Sequence, residues 1–111
     1  MSKSVFKTLK ETLIKFRNAR DWAQFHNPKD LALALSIEAA ELNECFLWKK
    51  HEDANKEKVA EELADVFAYA LLLAHEMDLD VETIVKDKIR KNELKYPVEK
   101  SKGTAKKYNQ L

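Results

Sequence analysis

Two acidic pairs interrupt apolar helical sequence: Glu38-Ala-Ala-Glu41 and Glu62-Leu-Ala-Asp65. Within each pair the carboxylates stand three residues apart and share one helix face. Four carboxylates converging from two helices repel one another unless a cation lies between them. All-oxygen ligation suits a hard cation, so the implied metal is Mg²⁺, with Mn²⁺ as a substitute. No Cys or His stands at ligand spacing with these groups, which disfavours zinc. A carboxylate-bridged di-iron bundle requires Glu-x-x-His on two helices, and here Glu41 and Asp65 hold the i+3 positions. The bland alternative makes the four acids solvated charges, but their setting among Ala and Leu argues against it. A hard metal of this kind points to phosphate chemistry.

Further residues extend that reading. Lys88, Asn92 and Tyr96 follow one another at i, i+4 spacing, with Lys91 and Lys95 nearby. A stripe of cation, amide and phenol can grip phosphate oxygens; lysines that complement a helix C-terminus are the plainer account. Tyr69 shares a row with Glu62 and Asp65. Trp22, Phe25, His26 and Trp48 form an aromatic group near helix ends. Such rings serve as core or interface residues, or as platforms on which a nucleobase stacks. His26 by itself reads as structural.

These groups need elements to carry them. Phe6, Leu9, Leu13 and Phe16 recur at 3-4-3 spacing and predict a first helix over 4–20. Asn27-Pro28 reads as an N-cap followed by proline at the first helical position, opening a second helix over 28–48. Its inward seam is Leu31, Ala34, Glu38, Glu41, Cys45 and Trp48. Asp53 offers a cap for a third helix over 54–77, with an apolar seam of Val59, Leu63, Val66, Ala70, Leu73 and Met77. Asp80 caps a fourth helix, which ends before Pro97. No stretch alternates as a strand. The fold class is therefore all-α, with four main helices in one domain over 1–97. The lysine-rich tail over 98–111 is expected to be mobile.

A formal net charge of +1 shows no bias toward a nucleic-acid polymer or a membrane. No run is long enough to span a bilayer, and no signal-type segment opens the chain. Cys45 is alone, which excludes an intrachain disulfide and fits a reducing, cytoplasmic setting. Four amphipathic helices carry more apolar surface than a 12.9 kDa monomer can hide, so at least a dimer is expected.

With these residues in hand, the chain resembles the MazG-like all-α nucleotide pyrophosphohydrolases, and among them the small single-domain branch that includes dCTP pyrophosphatase. Glu38, Glu41, Glu62 and Asp65 match the family's Glu-x-x-Glu, gap, Glu-x-x-Asp pattern. Arg20-Asp21-Trp22-Ala23-Gln24-Phe25-His26 resembles the branch's Arg-Asp-Trp-x-x-Phe-His element, and Asn92-Glu93-Leu94-Lys95-Tyr96-Pro97 its Asn-x-x-Lys-Tyr-Pro element. The resemblance covers the chain from about residue 10 onward. It implies a helical bundle assembled between protomers as dimers or dimers of dimers. It also implies hydrolysis of a nucleoside triphosphate to monophosphate and pyrophosphate with Mg²⁺. By it, Glu38, Glu41, Glu62 and Asp65 would carry metal, and Lys88, Asn92 and Tyr96 would contact phosphates or sugar, with Tyr69 on the same side. Trp22 and Trp48 would flank the base, with His26 beside them. Leu13 departs from the pattern, standing where some members carry a base-contacting His.

The function expected is that of a house-cleaning nucleotide pyrophosphatase acting on dCTP or a related pyrimidine nucleotide, with Glu38 or Glu41 orienting the attacking water. The alternative is a non-enzymatic helical interaction module or, less favoured, a carboxylate-bridged di-metal bundle. Base, sugar and dimer versus tetramer stay open at this stage.

Overall fold

The computed structural model describes residues 4–111. The helices are α1 (Val5–Ala19), α2 (Pro28–Glu44), α3 (Lys56–Glu76), α4 (Val81–Lys95) and the short α5 (Val98–Ser101). Single 3₁₀ turns lie at Ala23–Phe25, His51–Asp53 and Tyr108–Gln110. The described residues contain no strand, so the chain is all-α as expected, with a fifth short helix inside the tail. It divides into two compact units, one ending at Leu79 and one beginning at Asp80.

Side-chain caps explain where the helices begin. Ser4 accepts from the Lys7 N–H, Asn27 from Asp30 ahead of Pro28, and Asp80 from Thr83. The third helix departs from expectation. Its cap is Asn55, whose side chain accepts from Lys58 at 3.1 Å, while Asp53 is consumed in the preceding 3₁₀ turn. The second helix also stops early, at Glu44 rather than 48. Cys45, Phe46 and Leu47 donate to carbonyls three residues back, and Trp48 then adopts φ 62°, which no right-handed helix accommodates.

With one glycine in the chain, aspartates make the helix stops that glycine usually makes. Asp21 at φ 56° and Asp78 at φ 55° occupy the left-handed position after α1 and α3. Asp21 N–H bonds to Asn18 and Trp22 N–H to Arg17, while Asp78 N–H bonds to His75 and Leu79 N–H to Ala74. Both are Schellman turns.

In the first unit α3 packs against both α2 and α1. Leu31 of α2 and Leu71, Leu72 and Ala74 of α3 form the buried apolar core. The predicted α3 seam is displaced, for Leu63 and Met77 are exposed. With two partners, the C-terminal half of α3 buries more than one row, which a single seam does not capture. On α1 the buried residue is Arg17, whereas Leu9 and Phe16 of the predicted stripe stay about half exposed.

In the second unit Tyr96 closes α4, its N–H bonding to the Asn92 carbonyl at 2.8 Å. Tyr108 meets the Tyr96 ring edge-on at 6.2 Å, and Lys95 Nζ lies 4.9 Å from the Tyr108 ring centre. These contacts return the tail to the end of α4.

Candidate functional site

Helix α2 supplies Glu38 and Glu41, and α3 supplies Glu62. One carboxylate oxygen from each lies within 4.8 Å of the others. Oε2 of Glu38 and Oε2 of Glu62 are shielded from solvent and have no hydrogen-bond partner. An anionic oxygen in that position is costly unless something positive meets it. Desolvation is the largest influence on Glu38, pushing its carboxyl up to about 7. A hydrogen bond with Glu41 and the charges of Glu41, Asp65 and Glu62 add to the shift. Glu62 is raised for the same leading reasons: desolvation, then the bond with Glu41, then neighbouring charges. An all-oxygen donor set with orphaned oxygens fits a hard divalent cation. Asp65 stands outside this group of three, but its charge acts on Glu38, Glu62 and Tyr69.

Open volume adjoins the carboxylates. A cavity of about 410 Å³ is lined by Glu41, Glu44, Cys45, Lys49, Asn55, Lys58 and Glu62. Another, of about 320 Å³, is lined by Leu13, Phe16, Arg17, Trp22, His26, Asp65, Ala68, Tyr69 and Leu72. The structure thus gathers Trp22, His26 and Tyr69, expected as nucleotide contacts, around one cavity that also includes Asp65. Trp22 is held by the Schellman turn and by an edge-on contact with Phe16 at 5.7 Å. Burial, and then the neighbouring charges, raise the Tyr69 pKa, so it remains a phenol able to donate. Burial also lowers His26, with Arg17 adding to the effect and Glu76 opposing it, so the imidazole is neutral at pH 7.

Trp48 is placed differently. It is 93% exposed and lines neither of these cavities, so it is not a core residue of the single chain. Lys88, Asn92 and Tyr96 lie in the second unit, with Lys88 exposed and Asn92 and Tyr96 half-buried. Two residues of the aromatic cavity's surroundings were not foreseen from sequence: Arg17 and its partner Glu76, 2.7 Å apart. The available signal was Arg17 falling on the apolar row of Leu13 and Phe16.

The pattern of the MazG-like family matches residues 33–111. The chain belongs to the MazG-like family. It is 41% identical over 105 residues to dCTP pyrophosphatase 1 of Rattus norvegicus and 36% identical to that of Homo sapiens, covering 87% of this chain. The chain spans 62% of the length of these curated relatives. Among solved structures, a pyrophosphatase from Archaeoglobus fulgidus superposes with a TM-score of 0.80 at 38% identity, over 87% of this chain and 96% of that one.

In this MazG-like chain the carboxylate group sets a pH dependence. A carboxyl raised from 4.5 to about 7 on folding favours the protonated folded state. That contribution is complete below the unfolded value and is lost as pH rises through about 7. Metal-free protein should therefore melt lower at pH 8 than at pH 5.5, and Glu38→Gln should raise the pH 8 Tm above wild type. Mg²⁺ should restore the wild type more than the variant. Thermal melts in chelator and in Mg²⁺ check this; equal melting of wild type and variant at pH 8 would contradict it.

Proposed function

We propose that this protein is a Mg²⁺-dependent nucleotide pyrophosphohydrolase converting a deoxypyrimidine triphosphate, dCTP or a related nucleotide, to monophosphate and pyrophosphate. The observation that carries the reading is the group of three carboxylates beside an aromatic cavity that Asp65 and Tyr69 also line. The pyrophosphatase names of its relatives support it.

Glu38, Glu41 and Glu62, with Asp65, would hold the metal. Bound there, Mg²⁺ would neutralise triphosphate charge and acidify a water. Glu38 or Glu41 would accept the proton of the water that attacks the α-phosphorus. Tyr69, protonated and beside the acids, would donate to a phosphate or sugar oxygen. Lys88, Asn92 and Tyr96 would supply cation, amide and phenol to the phosphates or sugar. Trp22 would stack on the base, with His26 beside it.

Apolar exposure supports self-assembly. Leu33, Ile37, Phe46, Leu47, Leu63 and Phe67 of the first unit are 38–58% exposed. So much uncovered apolar surface marks an interaction face. A homo-oligomer, dimer or tetramer, would cover it and give the exposed Trp48 a neighbouring protomer's base to flank. Cys45 is a free thiol, which fits a cytoplasmic setting, and no helix among the described residues is long and apolar enough to cross a membrane.

Pyrophosphate release from each common dNTP and NTP with Mg²⁺ tests the activity. Glu41→Ala and Asp65→Ala should abolish release while helical circular dichroism is retained; either variant folded and fully active would refute the assignment. Trp22→Ala should raise KM for the best nucleotide roughly 5- to 150-fold, from about 1–3 kcal/mol of stacking. Turnover of inorganic triphosphate, which has no base, should change far less, and an unaltered nucleotide KM would return Trp22 to a packing role. Light scattering at micromolar concentration should give a multiple of 12.9 kDa, and a monomer mass would count against a shared site.

A further inference from the structure

One charged side chain in the aromatic cavity has no part in the chemistry above. Arg17 is 5% exposed and is the buried charged residue among those described. Its Nη2 meets Glu76 at 2.7 Å, which ties α1 to α3 and fixes the guanidinium. Its Nε and Nη1 are shielded from solvent and have no partner. Guanidinium only donates and keeps its charge. An ion pair serving stability alone has no use for spare buried donors, since an apolar pair would pack at least as well. Trp22 sits directly against this residue, its N–H bonded to the Arg17 carbonyl at 3.0 Å. The neighbouring His26 Nδ1 also lacks a partner.

Helix α3 orients these groups along the cavity. Glu62, Asp65, Tyr69, Leu72 and Glu76 recur at 3-4-3-4 spacing and share one face. The carboxylate group is at one end of that face and the anchor of Arg17 at the other, about 21 Å further along at 1.5 Å per residue. Asp65 near the acidic end and Arg17 line the same cavity, so a nucleotide with its phosphates at the carboxylates places its base in the cavity that Arg17 lines. The cavity's volume of about 320 Å³ is enough for a nucleobase and lies within the range of ligand sites (~300–1,000 Å³).

We propose that Arg17, anchored through Nη2 by Glu76, is a specificity-determining residue: a base entering the cavity that Arg17 lines uncovers its two spare N–H groups, which now lie packed against protein, and takes their bonds on the ring acceptors of a pyrimidine, O2 and N3 of cytosine. Thymine and uracil present an N3–H in that place, a donor facing a group that cannot accept. A site built around such a bond discriminates strongly against the mismatched ring. The inference rests on the nucleotide pyrophosphohydrolase reading and adds the residue that selects the base.

Steady-state pyrophosphate release from dCTP and dTTP tests it in wild type, Arg17→Met and Glu76→Gln. Wild type should favour dCTP. Arg17→Met should lower kcat/KM for dCTP roughly 10- to 150-fold, the range for a hydrogen bond from a charged donor, mainly through KM. The dTTP value should change far less, so the dCTP-to-dTTP ratio collapses. Glu76→Gln should move the same ratio part of the way. If Arg17→Met does not fold with Glu76 left alone, the double variant Arg17→Met/Glu76→Met removes both charges and is read identically. A folded variant with an unchanged ratio, or a wild type that favours dTTP, overturns the role of Arg17 while leaving the activity standing. A wild type that releases pyrophosphate from no nucleotide overturns the activity itself, and the Arg17 role with it.

Discussion

Mutual repulsion among Glu38, Glu41 and Glu62 is the constraint to which the rest of the first unit answers. Three carboxylate oxygens within 4.8 Å, two of the residues having an oxygen hidden from water, oppose the packing of α2 on α3. What opposes the repulsion is modest: Leu31, Leu71, Leu72 and Ala74 are the buried apolar residues among those described. A proton on Glu38 relieves part of the strain, and a divalent cation would relieve more, because it satisfies several oxygens at once. Metal binding and folding would then be one equilibrium in this seam. The same electrostatics that would make the site useful for a triphosphate makes the seam without metal the weak point of the bundle.

Precise placement comes from helix ends. The Schellman turn after α1 puts Trp22 back onto Arg17, so an aromatic face and a cation arrive at one wall together. The matching turn after α3 follows directly on Glu76, which anchors that cation. Asp21 and Asp78 reach the left-handed conformation with short polar side chains, at a cost glycine would avoid. Trp48 does so with a bulky side chain and an exposed ring. A strained backbone beneath an uncovered tryptophan is the pattern of a contact residue rather than a packing one.

Much of this was legible in the residue order, for identifiable reasons. Asn27-Pro28 and Asp80 announce helix starts because capping chemistry is local. The acids stood out because a charge on an apolar row is anomalous. The end of α2 was misjudged because Phe46, Leu47 and Trp48 continue the apolar pattern while the backbone turns away from the helix. Asp53 and Asn55 are both good caps, and only the 3₁₀ turn at His51–Asp53 decides between them. Arg17 met the criterion that revealed the acids, yet a lone basic residue in the last turn of a helix reads as a partner for the helix dipole. Glu76 gave no sign, since its meaning lies in a contact from another helix.

The single face of α3 sets these features in one order. Glu62, Asp65, Tyr69, Leu72 and Glu76 change in character along one stripe, from anionic through a phenol to apolar, and then to an acid committed to an arginine. A triphosphate nucleotide changes in the same order along its own length, from highly charged phosphates through a hydroxylated sugar to a flat ring with a few acceptors. The order of side chains on one helix thus mirrors the order of groups in the ligand, and a rigid helix holds that order at fixed intervals. On the proposed function, substitutions at the Glu62 end would act on charge and metal. Those at the Glu76 end would act on which ring is accepted, and Tyr69 lies between them, its phenol raised by burial and then by the acids while it lines the aromatic cavity.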